Sequence, residues 1–240
     1  MSKVYADAIA TTEASQDLIL GGSGDNVIVT AGATLKTNTV KDSGGNTLWT
    51  SDGSGNLSSV NAALGGNMVL LSTQTASNST SVSFTSGIDN TYRLYIFKFL
   101  DINAAASDPD FGFQVNASGQ TGFNETITST VFRSYHDESN STATLDYTTG
   151  QDQAQGTAYQ CIARTVNSGA DECAAGELHL FNPSSTTYVK QFYARTSGNA
   201  AYEMDTFAGG YINTTSAIDE ISFKMASGNF DGIIKMYGLG

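Results

Sequence analysis

Residues 91–102, TYRLYIFKFLDI, form the longest apolar run of the chain, and this run decides the fold class. Side chains of an extended strand alternate between its two faces. The apolar residues of the run divide into Tyr92, Leu94, Ile96, Leu100 and Ile102 on one face and Tyr95, Phe97 and Phe99 on the other. Lys98 interrupts the first face, and Arg93 and Asp101 lie near the ends of the second. Because the middle is apolar on both faces, the run predicts a strand inside a sheet that is covered on both sides, by a second sheet or by another subunit.

A buried helix is the competing interpretation of an apolar run of this length. The run is rich in aromatic residues, which favour strands. Turn residues also flank it, at Gly87, Asp89 and Asn90 before it and at Asn103 after it. These features favour the strand.

The composition is that of a turn-rich β protein. The chain has 240 residues, enough for one large β domain or for a small domain and a medium one. Hydrophobic residues are 40%, which allows a real core, whereas charged residues are only 14%. Soluble domains usually carry about a quarter of charged residues. Gly, Ser, Thr and Asn take the place of charge here.

The charge balance limits the partners that we expect. The formal net charge is −12, with 11 basic and 23 acidic residues, and the basic residues form no stripe. A nucleic acid binder needs clustered basic residues to displace counterions, so nucleic acid is not an expected partner. The N-terminal MSKVYADAIATTEAS has no apolar stretch, which predicts neither a signal peptide nor membrane insertion. In that setting we expect Cys161 and Cys173 to be reduced thiols, with a disulfide between them as the alternative.

Residues 17–62 form a series of short predicted strands separated by the turns GGSGDN, DSGGN and SDGSGN. Their large apolar side chains are few: Leu18, Leu20, Val27, Val29, Leu35, Leu48 and Trp49. So thin a sheet is marginal in water by itself. We therefore expect this region to close a core with copies of itself or against another protein, with a disordered linker as the alternative. The predicted self-association and anchoring residues are Val27, Val29, Leu35, Leu48, Trp49, Tyr95, Phe97 and Phe99.

The aromatic density rises sharply near residue 66. Ten of the eleven tyrosines and all twelve phenylalanines follow Leu71. We predict an N-terminal arm and short-strand β region over 1–66 and a β-sandwich over 67–240. Eight to ten strands with no helical period between them favour an antiparallel jelly roll of two packed sheets. The last strand, ending in KMYGLG, should lie inside a sheet.

Several segments together resemble the virion fibre and decoration proteins of tailed bacteriophages. The first is the connector TNTVKDSGGNTLWTSDGSGNLSSVN at 37–61, which is similar to a family pattern VKDSxGNTxxTxDxxGN. The others are LLSTQTASNSTSVSFTSGIDNTYRLYIFKF at 70–99, FAGGYINTTSAIDEISFKMASGNFDG at 207–232 and the closing IIKMYGLG. These segments cover most of the chain, and none of them is a catalytic motif.

The resemblance implies a homotrimer on the surface of a phage particle. The N-terminal region would intertwine and attach to a capsid or tail protein, and the jelly roll would be displayed outward. The chain has no long coiled coil and no repeated triple β-helical shaft. This favours a capsid decoration protein, a head fibre or a short tail fibre over a long fibre; head and tail attachment both stay open.

The sequence predicts no enzyme, no cofactor and no metal site. The two histidines, His136 and His179, belong to no HExxH motif, and CxxC and GxSxG are also absent from the sequence. Carboxylate pairs that could in principle cleave a glycan are Asp108 with Asp110, Asp171 with Glu172, and Asp219 with Glu220. Their positions in predicted loops and at strand starts favour solvated acids instead.

Two further kinds of site are weighed on the same grounds. Asp52-Gly-Ser-Gly-Asn and Asp108-Pro-Asp could bind Ca²⁺, but ordinary turn chemistry explains both. Tyr135 and Tyr147 flank a polar loop and could stack on a sugar, although core or subunit contacts are favoured. Glycan-binding residues are unassigned. A lectin-like module for adsorption to a host glycan and, less favoured, a polysaccharide depolymerase are the alternatives to a structural virion protein.

Overall fold

The structure is a computed structural model that describes residues 37–51, 57, 58, 60 and 68–240. The chain divides into two units, Met1–Asn61 and Ala62–Gly240. The predicted strands before residue 37, with Val27, Val29 and Leu35, lie outside the described residues, and their role in self-association stays a prediction.

The first unit contains a small antiparallel sheet built on the connector sequence. Its strands are β1 (Thr39–Lys41), β2 (Thr47–Ser51) and β3 (Leu57–Ser58), in the order β1-β2-β3. The turn between β1 and β2 is held by Asp42, whose carboxylate accepts hydrogen bonds from the backbone N–H of Gly44 (2.9 Å) and of Asn46 (2.8 Å). Gly45 in that turn has a φ of 82°, which glycine adopts without strain. The DSGGN turn was predicted from the same residues.

The second unit is built of thirteen strands. They are β4 (Met68–Ser79), β5 (Val82–Phe84), β6 (Leu94–Ala104), β7 (Phe111–Ala117), β8 (Ile127–Asp137), β9 (Ala143–Tyr147), β10 (Ala154–Gly156), β11 (Gln160–Ala163), β12 (Ala174–Phe181), β13 (Lys190–Asn199), β14 (Tyr202–Ile212), β15 (Ile218–Met225) and β16 (Phe230–Leu239). All pair antiparallel. The predicted all-β, antiparallel class is therefore confirmed.

The strands form two unequal sheets. The larger has nine strands in the order β10-β8-β14-β13-β12-β6-β16-β4, with β9 also paired to β8, and the smaller has four in the order β11-β7-β15-β5. The last strand, β16, lies between β6 and β4, as predicted. The strand count exceeds the predicted eight to ten. One reason is the short β10, whose residues Ala154–Gly156 have no alternating apolar pattern.

The order of eight strands favours the jelly-roll interpretation. Of these eight strands, the larger sheet contains β4, β6, β12 and β16, and the smaller sheet contains β5, β7, β11 and β15. The order β4-β16-β6-β12 in the larger sheet therefore faces the order β5-β15-β7-β11 in the smaller one. Two Greek keys produce an arrangement of this kind. The remaining five strands come from two insertions, β8–β10 and β13–β14, and both insertions widen only the larger sheet.

The core between the sheets is centred on aromatic rings. The ring of Phe223 on β15 lies 5.3 Å from that of Phe99 and 5.4 Å from that of Phe97, both on β6. It lies 6.1 Å from the ring of Phe111 and 6.3 Å from that of Phe84. Ile221, Phe223 and Met225 of β15 are all buried, and Ser222 between them is only 1% exposed as well.

The central strand β6 contains a β-bulge at Asp101. Asp101 has a φ of 53°, and the pairing of β6 with both neighbouring strands shifts at this point. Tyr95, Phe97 and Phe99 face the smaller sheet, and the extra residue keeps Ile102 and Ala104 facing inward after it. The sequence placed Ile102 on the opposite face, with Ile96. That prediction was wrong because strict alternation does not allow for a bulge.

Candidate functional site on the outer face of the larger sheet

The larger sheet has one face that no described strand of its own unit covers. The smaller sheet packs on the inner face. Nine large hydrophobic side chains of the described residues are exposed, and the register places eight of them on the outer face: Met68, Leu70, Leu100, Phe132, Leu145, Tyr147, Phe181 and Tyr193. The ninth, Tyr188, lies in the loop between β12 and β13. Contiguous exposed apolar surface marks an interaction site more often than scattered single residues do.

A first group of these side chains, cluster A, lies over β4, β16, β6, β12 and β13. Its central row consists of the cross-strand neighbours Leu70, Tyr237, Ile96, His179 and Tyr193, and the adjacent row consists of Met68, Leu239, Leu94 and Phe181. Ile96 is only 6% exposed although it lies on the outer face, because its neighbours cover it. Cluster A is therefore packed like a piece of core with one side open.

The polar contacts within cluster A fix the imidazole of His179. Its Nε2 lies 2.8 Å from Oε1 of Glu177, and its Nδ1 lies 3.1 Å from the hydroxyl of Tyr193. The rings of His179 and Tyr193 stack with centroids 4.4 Å apart. The hydrogen bond with His179, helped by the nearby charges of His179 and Lys98, holds the pKa of Glu177 below its usual value, although partial burial opposes this shift. The side chains of this row are thus held in one arrangement.

A second group, cluster B, lies at the far side of the sheet over β14, β8 and β9. It consists of Phe207, Phe132, Tyr147 and Leu145. The rings of Phe132 and Phe207 stack with centroids 4.8 Å apart and planes 3° apart. Leu145 is 71% exposed, which is costly for an aliphatic side chain unless something covers it.

A groove lined by both charged and apolar side chains opens on the same face, next to both clusters. Its volume is about 590 Å³, and its charged lining comprises Lys98, Lys235, Arg195, Glu177, Asp205 and Glu203. Arg195 pairs with Asp205 at 3.1 Å, and Lys98 lies 3.6 Å from Glu177. Lys235 is the direct cross-strand neighbour of Lys98, and it forms no ion pair with any described carboxylate.

The structure separates the residues predicted to mediate self-association. Tyr95, Phe97 and Phe99 are at most 3% exposed and belong to the core of their own unit, so their placement does not support a role in contacts between copies. The outer-face residues of the same strand are available for that role instead. Leu48 and Trp49 are half-buried on β2 in the first unit, where their predicted role is untested.

The residues weighed for chemistry do not converge on one site. Asp110 accepts hydrogen bonds from Arg164 (3.4 Å) and from the backbone of Thr165 (3.1 Å). Glu220 accepts one from Asn116 at 3.0 Å. No three His, Cys, Asp or Glu side chains within the described part of the chain are grouped so as to hold a metal ion.

The remaining candidates have separate local roles. The ring of Tyr135 packs against Tyr202, whereas Tyr147 belongs to cluster B and donates a hydrogen bond to Asp152 at 2.7 Å. Cys161 and Cys173 are both free thiols. The part of the chain that the structure describes contains no helix of the length and apolar character needed to span a membrane.

Neither the groove nor most residues of clusters A and B were predicted from the sequence. The segment ELHLF of β12 has apolar side chains on both faces, as residues 91–102 do, and this could have indicated a second two-faced strand. The opposition of Lys98 and Lys235 carried no such signal, because it depends on the pairing of strands that are far apart in the sequence.

No protein-family model and no curated protein matches the chain.

Proposed function

We propose that the chain is a structural protein of a tailed-phage virion: a homotrimeric capsid decoration protein, head fibre or short tail fibre without an active site. The observation that carries the assembly part is the uncovered apolar outer face of the larger sheet. The virion part rests on the resemblance of residues 37–61, 70–99 and 207–240 to phage fibre and decoration proteins. The N-terminal region would attach to a capsid or tail protein, and the β-sandwich, interpreted as a jelly roll, would be displayed at the particle surface.

The outer face is large enough for one contact of standard size between copies, and the two contacts that each copy makes in a ring would include the N-terminal region as well. The sheet is eight strands wide, because β9 and β10 pair with the same edge of β8. At about 4.8 Å between strands and about 26 Å along each strand, the face measures roughly 1,000 Å². A stable interface of standard size buries about 800 Å² on each partner. The mixture of aromatic clusters with charged side chains between them is also typical of interfaces rather than of interiors.

The two clusters suit a closed ring better than a two-fold dimer. In a ring of three copies each copy contacts one neighbour through one surface and the other neighbour through a different surface. Clusters A and B are two different apolar surfaces on one sheet. Because neighbouring strands twist by about 20–25° each, the two edges of a sheet that is eight strands wide point in different directions. We propose that cluster A of one copy packs against cluster B of the next.

Light scattering on the purified full chain tests the assembly. We expect three copies of the 25.2 kDa chain, a mass of about 76 kDa, because the resemblance to phage fibre and decoration proteins implies a trimer. A mass of one chain at micromolar concentration overturns the assembly proposal. The double variants L70E/Y193E in cluster A and F132E/L145E in cluster B should each lower the mass. The control is Tyr188→Glu, an exposed aromatic residue outside both clusters, which should leave the mass unchanged.

Mixing the two double variants separates a ring from a two-fold contact. Each variant keeps the surface that the other has lost, so the mixture should form a pair of chains of about twice the single-chain mass, while neither variant pairs by itself. If the cluster B variant alone still forms dimers, cluster A contacts itself and the ring is wrong. If both variants stay trimeric, the outer face is not the interface.

The virion assignment has its own test. Peptides of this chain should be found by mass spectrometry in density-purified phage particles, and an antibody against the sandwich should label the head or the tail in electron micrographs. Particles free of this chain overturn the assignment, whatever the oligomeric state.

Adsorption to a host glycan is the second candidate function. The groove next to the clusters favours it, since the groove combines charged and hydroxyl-bearing side chains in a concave surface. A depolymerase is less favoured, because none of the carboxylate pairs predicted from the sequence lines the groove.

A further inference from the structure

The groove next to clusters A and B carries an inference that does not depend on the virion assignment. It lies over β16, β6, β12, β13 and β14, and its volume of about 590 Å³ is in the range of about 300–1,000 Å³ that is usual for ligand sites. Its two ends carry different kinds of charged side chain and would bind different groups of a ligand.

One end of the groove has an excess of positive charge. Lys98 and Lys235 are direct cross-strand neighbours on β6 and β16. Like charges in this position destabilise a sheet, because the side chains lie about 5 Å apart at their Cβ atoms. Glu177 is the nearest carboxylate to Lys98, at 3.6 Å, but it is also engaged by His179. The arrangement becomes favourable when an anion from a ligand bridges the two ammonium groups.

The other end of the groove has an excess of hydrogen-bond acceptors. Asp205 is held by Arg195, and the carboxylate of Glu203 accepts a hydrogen bond from the hydroxyl of Ser197. A carboxylate has about four acceptor positions, so both acids keep positions free for donors of a ligand. A polyanion such as nucleic acid would be repelled here, whereas neutral hydroxyl groups would be bound.

The floor and one wall are suited to a ring-shaped ligand. The side chain of Ala175 on β12 is small and leaves space in the groove, and Tyr237 presents an aromatic ring on the same strand as Lys235. Aromatic rings with a polar edge commonly contact the apolar face of a sugar while their surroundings bind its hydroxyl groups.

We propose that this groove binds an acidic carbohydrate, a glycan with a carboxylate-bearing sugar such as a uronic acid. Lys98 and Lys235 bind the carboxylate of that sugar. Asp205, Glu203 and Ser197 bind hydroxyl groups of the same sugar or of its neighbour. Tyr237 contacts the ring. The ligand is thus anionic at one end and a neutral hydroxyl donor at the other.

The test is a titration of the full chain, followed by nuclear magnetic resonance and calorimetry, with uronic-acid and sialic-acid oligosaccharides, their neutral analogues of equal length, and acetate. We expect binding of at least one acidic oligosaccharide, with resonance shifts confined to groove residues. Its neutral analogue and acetate should bind at least tenfold more weakly. Absence of binding to every acidic oligosaccharide at millimolar concentration overturns the proposal. Equal binding of acetate also overturns it, because the site then recognises a simple anion.

Substitutions identify the groups that bind. Lys235→Gln should weaken binding of the acidic oligosaccharide at least tenfold, and Lys235→Arg should largely restore it. Glu203→Gln should weaken binding through the hydroxyl end. Lys41→Gln, which removes one positive charge from an exposed position in the first unit, is the control and should leave the affinity unchanged. If Lys235→Gln and Lys41→Gln weaken binding equally, only the overall charge matters and the groove is not the site. These outcomes are independent of the mass and particle experiments above.

Discussion

The two faces of the larger sheet are made by the same strands, yet they differ in kind. On the inner face, Phe97, Phe99 and Leu178 are at most 3% exposed and pack against the smaller sheet. On the outer face, the residues next to them along the chain form two apolar clusters with ion pairs and a groove next to them. A face that its own chain covers can be uniformly apolar, whereas a face that meets other molecules carries apolar patches with charges between them. The predictions below test this difference.

The largest effect is expected from an aromatic residue of the inner packing. Phe223→Ala removes the ring that four others contact, and we expect the free energy of unfolding to fall by about 3–5 kcal/mol. Tyr193→Ala removes an outer-face ring that is 45% exposed, and should cost less than about 1 kcal/mol at protein concentrations too low for assembly. Urea denaturation measures both. Equal losses would mean that the outer face is packed like an interior.

Two adjacent glycines on β14 compare the faces directly. A Cβ at Gly210 would collide with the backbone oxygen of Thr128, so Gly210→Ala should destabilise the fold by about 1–3 kcal/mol. A Cβ at Gly209, on the outer face, would meet nothing closer than 3.9 Å. Gly209→Ala should therefore stabilise the fold by about 0.4–1 kcal/mol. The melting temperatures of the two variants should therefore shift in opposite directions. Shifts of the same sign would contradict the assignment of Gly210 to the inner face and Gly209 to the outer face.

A smaller effect is expected in the groove. Lys235→Gln removes one of two opposed like charges and should raise the free energy of unfolding by about 0.2–1 kcal/mol in the absence of ligand. The same variant is expected to lose ligand affinity, so stability and binding should change in opposite directions. Lys41→Gln is again the control. A stability loss in Lys235→Gln would show that the lysine contributes to packing instead.

The smallest effect is a pH dependence of the outer face. The pKa of Glu177 is lowered in the folded state, chiefly by the hydrogen bond with His179. Its stabilising contribution is therefore present above the unfolded pKa of about 4.3 and is lost as the pH falls through the lower folded value. Glu177→Gln should be less stable than the original chain near neutral pH, and this difference should shrink under acid. Since Glu177 is partly exposed, the change is expected to be small. A difference that is constant from pH 7 to pH 2 would contradict it.

The sequence was sufficient for the fold class but not for the site. Residues 91–102, with aromatic side chains on both faces, predicted a central strand, and the turn residues around it favoured a strand over a helix. The short β10 was missed, because Ala154–Gly156 has no apolar signal and pairs with β8 only through tertiary structure. The bulge at Asp101 was missed because alternation assumes a regular strand. The groove was missed because Lys98, Arg195 and Lys235 meet only through a strand order that local patterns do not encode.

The bulge at Asp101 has a consequence for how this chain can vary. Inserting or deleting one residue here would exchange the inward-facing and the outward-facing side chains along the rest of β6. Deleting residue 101 would turn Ile102 and Ala104 toward the solvent and bring Asn103 into the interior. Surface turns tolerate insertions and deletions better than strands do. At this point of the central strand, only changes by even numbers of residues leave the interior intact.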